Sequence, residues 1–210
     1  MRKLVLFLLV IFLGSQLLAK DFYYQKIKIK NKIHNIKVFK VSYYLRNLKS
    51  LNVDQKKIAN KVFMKAREFD LEYTMTAIAF KESSFGRTMY NLRDGELGSY
   101  GVFHNLVSSV YDRYVRYKPV RKNNEISIKL SLAKRLIDDF DFSFSQSLAE
   151  LKYWENTAIV KGKRWDKWRY SILHYNGGTF AEYKPKAWEY YYNIVNIIKA
   201  LRILKDQNRI

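Results

Sequence analysis

Apolar residues recur at helical spacing along most of this chain, and this pattern constrains the fold more than any other feature. Leu71, Met75, Ile78 and Glu82 stand at i, i+4, i+7 and i+11, which places all four on one face of a helix. Six further stretches carry the same spacing, at about residues 52–69, 106–114, 126–140, 145–155, 165–175 and 185–198. The sequence therefore predicts a mainly α domain.

Caps and inner faces make these helices specific enough to test. Asn52 with Gln55 is typical of a capping box, Asp70 is expected to cap the helix that stops near Gly86, and Pro185 suits a first helical turn. The glycine-marked segment 86–102 is expected to be a loop. The residues predicted to face inward are Ile58, Phe63, Ala66 and Phe69; Leu106, Val110, Tyr111 and Tyr114; Ile126, Leu130, Ala133, Ile137 and Phe140; Leu148 and Leu151; Trp165, Trp168, Ile172 and Tyr175; and Trp188, Tyr191, Val195 and Ile198.

Residues 20–50 have a different pattern. Apolar and basic residues alternate with period two in Lys26–Lys30 and again in Ile36–Val38, and Asn31-Lys32 can supply a turn between them. This alternation predicts a short β-hairpin or an extended, basic N-terminal arm. The expected organisation is a segment at 1–19, this arm at 20–50 and a catalytic domain at 51–210.

The first nineteen residues are typical of a secretory signal peptide. A basic start, Met1-Arg2-Lys3, precedes an apolar run from Leu4 to Leu13, and Ala19 gives a small residue at the expected cut. We expect export across the inner membrane to the periplasm or cell envelope. An uncleaved N-terminal anchor is the alternative.

The charge and composition of the chain indicate which classes of partner it can bind. The formal charge of +20 favours anionic partners such as envelope polymers or a membrane surface, and a basic face recurs at Lys199, Arg202, Lys205 and Arg209. Secretion makes nucleic acid an unexpected partner, although a protein exported to bind DNA remains an alternative. The chain has no cysteine and its three histidines lack metal-ligand spacing, so neither disulfides, a metal nor a cofactor is expected.

Glu82 is the candidate catalytic residue. A carboxyl on an apolar helical face is costly unless it has a partner or a function. Burial and the negative end of the helix both raise its pKa, and a carboxyl that stays protonated near neutral pH is what a general acid requires. The alternative is an ordinary ion pair with Lys81 or Arg87.

Three segments, in order, carry a resemblance to a known family. They are Ala77–Ser83, Gly98–His104 and Ser171–Gly178. Together they resemble the soluble lytic transglycosylase domain, a relative of goose-type lysozyme, which has a helix ending in Glu-Ser, a Gly-x-x-Gln segment after a loop, and an Ala-Tyr-Asn-x-Gly turn. The resemblance covers about residues 52–205 and implies a lysozyme-like helical domain.

The resemblance also implies roles. Glu82 would be the only essential carboxyl, and the Tyr175 hydroxyl would contact it. His104 stands where the family usually has Gln, and His174 where Ala is usual. The substrate-binding positions implied are Ser83, Gly101, Phe103, His104, Tyr175 and Asn176.

The implied reaction is cleavage of peptidoglycan glycan strands between N-acetylmuramic acid and N-acetylglucosamine, with formation of a 1,6-anhydro end. Glu82 would act alone as acid and then base, because no second carboxyl is evident; Asp94 and Glu96 fall in the expected loop. Two alternatives stay open. A bound water would give hydrolysis, as in a lysozyme, and loss of turnover would leave a peptidoglycan-binding module of an envelope machine.

Overall fold

The computed structural model describes residues 20–117 and 122–207. The predicted signal peptide at 1–19 lies outside the described residues, as does Arg209. The described chain is mainly α and is preceded by a two-stranded antiparallel hairpin, which confirms the predicted fold class. Within these residues, no helix combines the length and the apolarity that a membrane-spanning segment needs.

The described chain contains eight α-helices, a hairpin, a small sheet and three short 3-10 helices. The hairpin consists of β1 (Phe22–Ile29) and β2 (Lys32–Phe39). A three-stranded sheet consists of β3 (Tyr90–Asn91), β4 (Ser99–Tyr100) and β5 (Asn105–Leu106). The helices are α1 (Val41–Lys49), α2 (Val53–Arg67), α3 (Glu72–Ser83), α4 (Val107–Tyr117), α5 (Glu125–Asp138), α6 (Phe140–Val160), α7 (Lys167–Gly177) and α8 (Pro185–Asp206).

The predicted hairpin is confirmed, with its turn one residue earlier than expected. Pairing runs from Phe22–Phe39 to Ile29–Lys32, so Lys30 and Asn31 form the turn, and Lys30 takes a left-handed φ of 53°. The alternation gives the hairpin one apolar face, which packs on α8. This contact is formed by Ile27, Ile29, Ile36 and Val38 with Trp188 and Tyr192. The arm therefore lies on the last helix.

Helix α1 was not predicted. It lies inside the segment read as an arm, and its Tyr44 and Leu48 are buried in the main core. The Tyr44 hydroxyl donates to Asn193 Oδ1 at 2.7 Å, which joins α1 to α8. Lys40 stands at the N-cap and makes no capping hydrogen bond, so the usual start signal is missing from the sequence.

Helix α3 is the central helix, and its predicted face does point inward. Leu71, Met75 and Ile78 are buried, and so are Thr74, Thr76 and Ala77, because α2, α7 and α8 pack around the helix. Asp70 is not the cap; it takes a left-handed φ of 56°, and Leu71 occupies the N-cap position. The helix end is close to the expected one.

Of the other predicted helix caps and inward-facing residues, some are confirmed and some are wrong. The capping box at Asn52 and Gln55 is confirmed, as is Pro185 at the start of α8. Most of the predicted face of α5 is wrong. The structure exposes Ile126, Leu130 and Ile137 and buries Leu132 and Leu136 instead, whereas Ala133 is buried as predicted. The remaining misplaced residues are Phe69, which is exposed past the end of α2; Leu106, which lies in β5; Phe140, which begins α6; and Trp165, which is fully exposed in a 3-10 turn before α7.

Candidate active site

Glu82 lies in the last turn of α3, just before a sharp reversal of the chain. Ser84, Phe85 and Gly86 have φ values of 50°, 58° and 84°, so three left-handed residues in succession turn the chain away from the helix axis. The Glu82 side chain is 17% exposed. The carboxyl is therefore largely desolvated while still open to solvent at one edge.

The pKa of Glu82 is raised from 4.5 to about 7, mainly by burial and to a smaller extent by the charge of Asp94. The hydrogen bond from Tyr190 and the charge of Lys81 act in the opposite direction, but desolvation is the largest effect. Both protonation states of Glu82 are therefore populated near neutral pH. Such a carboxyl can give a proton and later take one back.

Tyr190 of α8 holds this carboxyl. Its hydroxyl donates to Glu82 Oε1 at 2.6 Å, and the ring is buried. Burial, and then the charge of Glu82, raise the pKa of Tyr190 well above its usual range, so the hydroxyl keeps its proton and remains a donor. Its role could not be predicted from the resemblance, which points to Tyr175 instead.

Tyr175 does not make the contact that the resemblance implied. Its hydroxyl donates to the Phe103 carbonyl oxygen at 3.3 Å and shares a 2.8 Å hydrogen bond with Ser147 Oγ. Burial first and the charge of Glu82 second raise the pKa of Tyr175, so it lies near the carboxyl without bonding to it. The prediction that Tyr175 contacts Glu82 is wrong, because Tyr190 occupies that position.

His104 lies beside the carboxyl. Its Nδ1 is 3.7 Å from Glu82 Oε2, and its Nε2 is 2.8 Å from the Thr88 carbonyl oxygen. A carbonyl only accepts, so the tautomer assigned from this contact has the proton on Nε2. In the neutral ring, Nδ1 then presents a lone pair toward Glu82. The gap is too long for a hydrogen bond, so the contact is electrostatic.

Ser83 and Gly101 fix the path of the chain around the site. Ser83 is buried; its hydroxyl donates to the Val102 carbonyl oxygen at 2.7 Å and accepts from the Gly86 amide at 2.8 Å. Gly101 has a φ of 83°, and a Cβ there would lie 2.3 Å from the Leu136 carbonyl oxygen. Both residues therefore fix the segment that leads to His104, and their contact with substrate stays a prediction.

Of the remaining predicted substrate-binding residues, Phe103 is buried and Asn176 is exposed. The Phe103 ring is fully buried and packs edge-on against Phe144 at 5.8 Å between ring centroids, so the predicted substrate contact through this side chain is wrong. Only its carbonyl oxygen is engaged near the site, by Tyr175. Asn176 is exposed in the last turn of α7, next to Tyr175.

Asp94 carries a second carboxyl whose charge acts on Glu82. Its charge raises the pKa of Glu82, and it accepts a 2.6 Å hydrogen bond from Ser99 Oγ. Strands β3 and β4 pair within residues 86–102, which were expected to form a loop, and Asp94 lies in the connection between the two strands. The separation of Asp94 and Glu82 in the sequence does not predict this electrostatic effect.

Among the residues that the structure describes, no group of three or more His, Asp or Glu side chains is arranged to hold a metal ion. No family model matches this chain, and neither a curated protein nor a solved structure matches it.

Proposed function

We propose that this protein is a peptidoglycan lytic transglycosylase that cleaves the β-1,4 bond between N-acetylmuramic acid and N-acetylglucosamine. The observation that carries the proposal is the Glu82 carboxyl. It is desolvated, its pKa is raised to about 7, and it is held by Tyr190 at 2.6 Å. The three motifs stand in the order of the family that the sequence resembles. The proposed setting is the cell envelope.

Glu82 would serve in both proton transfers. In its protonated form it donates a proton to the bridging oxygen, and the bond from that oxygen to C1 of the muramic acid breaks. The substrate's N-acetyl group stabilises the cationic centre. The Glu82 carboxylate then takes the proton of the C6 hydroxyl, whose oxygen bonds to C1. A pKa near 7 suits a group with both roles, and the Tyr190 hydroxyl stabilises the carboxylate between the two steps.

The charge of the chain supports the proposed location and partners. The net charge of +20 would attract the protein to anionic envelope polymers and to anionic membrane surfaces. Glycan strands would remain the substrate, since the chemistry requires only the sugar backbone.

Hydrolysis is the second candidate, and Asp94 favours it. Inverting glycosidases use a carboxylate base on the far side of a water molecule, opposite the general acid. Asp94 is close enough for its charge to act on Glu82, and its hydrogen bond to Ser99 fixes one oxygen. A water activated by Asp94 would produce reducing ends instead of anhydro ends.

Digestion of peptidoglycan sacculi separates these outcomes. We expect soluble muropeptides with 1,6-anhydro ends, lighter by one water than hydrolytic products in mass spectrometry. Asp94→Asn is expected to leave their release within about tenfold of wild type, because only general-base catalysis of hydrolysis requires that carboxylate. A digest with only reducing ends, lost in Asp94→Asn, would establish hydrolysis. No release at all would indicate a binding module.

Substitutions of His104 test the role of the imidazole beside Glu82. His104→Gln is expected to keep muropeptide release within about tenfold of wild type, because the Gln amide can donate to the Thr88 carbonyl and restores the residue usual in the family. His104→Ala loses that hydrogen bond and should weaken substrate engagement by about 1–2 kcal/mol. The measurement is the dependence of the initial rate on the amount of sacculi.

The two variants control for each other. Both variants remove the imidazole beside Glu82, but only His104→Ala also removes the side-chain group that can donate to the Thr88 carbonyl. Equal loss in both would mean that the imidazole itself is required. A large fall in melting temperature for His104→Ala, with unchanged activity of the folded fraction, would assign His104 a purely structural role.

A further inference from the structure

A second feature of the molecule is a cavity bounded by α1, α2, α3 and α8. Its volume is about 890 Å³, which falls in the range of small-molecule sites. The wall is mostly apolar and consists of Leu48, Leu51, Ala59, Phe63, Met64, Phe85, Leu201 and Leu204. Thr76 and Asn60 are the uncharged polar residues of this lining.

The cavity is separate from the candidate active site. Thr76 lines it from α3, whereas Glu82 lies at the end of that helix and is not part of the lining. Neither His104 nor Tyr190 lines it. Eight apolar side chains form its interior, where the hydroxyls of a sugar would be left without partners. The cavity is therefore not a subsite for the glycan.

Four basic residues, and no acidic one, complete the lining: Lys49, Lys56, Arg67 and Lys205. Within the described chain, Lys49, Lys56 and Arg67 form no ion pair. Lys205 Nζ lies over the Phe63 ring at 4.6 Å from the centroid. The cavity thus combines an apolar interior with uncompensated positive charge, which is complementary to one chemical type of ligand.

We infer that this cavity binds a single-chain anionic amphiphile, with its apolar tail inside and its carboxylate or phosphate head among the basic residues. Burial of a hydrocarbon tail supplies the affinity at about 25 cal/mol per Å². The lysine and arginine side chains select the charge of the head. This inference is independent of the proposed reaction, since no residue of the Glu82 site takes part.

Methionine methyl groups report directly on occupancy. Met64 lines the cavity, whereas Met75 and Met89 do not. In protein labelled with ¹³C at the methionine methyls, laurate below its micellar concentration is expected to shift the Met64 signal saturably and to leave Met89 unchanged. Dodecyltrimethylammonium has the same tail and the opposite charge, and should bind at least about tenfold more weakly. Inorganic phosphate alone should not shift Met64.

A charge-reversal pair tests the basic residues. Lys56→Glu with Arg67→Glu is expected to weaken laurate binding at least about tenfold. Lys26→Glu with Lys28→Glu changes the net charge equally on exposed positions of β1 and should not alter it. The melting temperature of each variant verifies folding.

Several results would overturn the inference. One is equal affinity for the anionic and cationic amphiphiles, and another is equal loss in the two double variants. A shift of Met89 without Met64 would place the ligand elsewhere. If anionic vesicles shift Met64 but monomeric laurate does not, the surface binds a membrane and the cavity binds no single ligand.

Discussion

Replacement of Glu82 by Gln is expected to lower the release of soluble muropeptides from sacculi by at least about 10²-fold, the scale of a lost general acid. Gln keeps the size and the helical setting of Glu and can still accept the Tyr190 hydrogen bond, but it cannot transfer a proton. Initial rates of release from purified sacculi measure the effect. The fold is expected to stay intact, because the substitution changes no packing volume.

The matched control is Glu72→Gln in the first turn of the same helix, α3. That residue makes no contact with the Glu82 site, so its variant should release muropeptides at the wild-type rate. If Glu82→Gln retained more than a tenth of wild-type activity, Glu82 would not be the acid, and the assignment of the first motif would have to be withdrawn.

The same substitution is expected to stabilise the protein at alkaline pH by about 3–4 kcal/mol. Burial raises the pKa of Glu82 from 4.5 to about 7, and each pKa unit corresponds to about 1.4 kcal/mol. Between these two pH values the native state keeps a proton that the unfolded chain has released. The stability contributed by Glu82 is therefore fully present below pH 4.5 and is lost as the pH rises through 7. Gln does not titrate and avoids that loss.

Urea unfolding of wild type and Glu82→Gln at pH 4 and pH 9 measures this effect. All other titrating groups are common to the two proteins, so the change in their stability difference isolates Glu82. The free energy of unfolding of Glu82→Gln should exceed that of wild type only at pH 9. A stability difference that is the same at both pH values would mean that the carboxyl is well solvated or compensated.

Helical periodicity predicted the fold class because most helices bury one continuous stripe. It failed where a helix offers two stripes. In α5 the sequence gives one stripe through Ile126 and Leu130 and another through Leu132 and Leu136, and the structure buries the second. Position alone does not decide between them, because the choice depends on where α4 and α6 pack.

Local pattern also located part of the candidate site. Glu82 was found because an apolar stripe on α3 ends at a carboxyl, and His104, which the motif at 98–104 singled out, lies 3.7 Å from that carboxyl. Tyr190 was missed because three consecutive tyrosines in α8 point in different directions, and only the packing of α8 on α3 selects the first. Asp94 was missed because its position depends on the pairing of β3 with β4.

The most direct test of the account is the titration of the Glu82 carboxyl itself. In protein labelled with ¹³C at glutamate side-chain carboxyls, the Glu82 signal is identified by its absence from the Glu82→Gln spectrum. Its midpoint is expected near pH 7, and Tyr190→Phe should move it higher, because the lost hydrogen bond stabilises the charged form. A midpoint near pH 4.5 in the wild-type protein would contradict the account, since the carboxyl would then be ionised at neutral pH and unable to act as the acid.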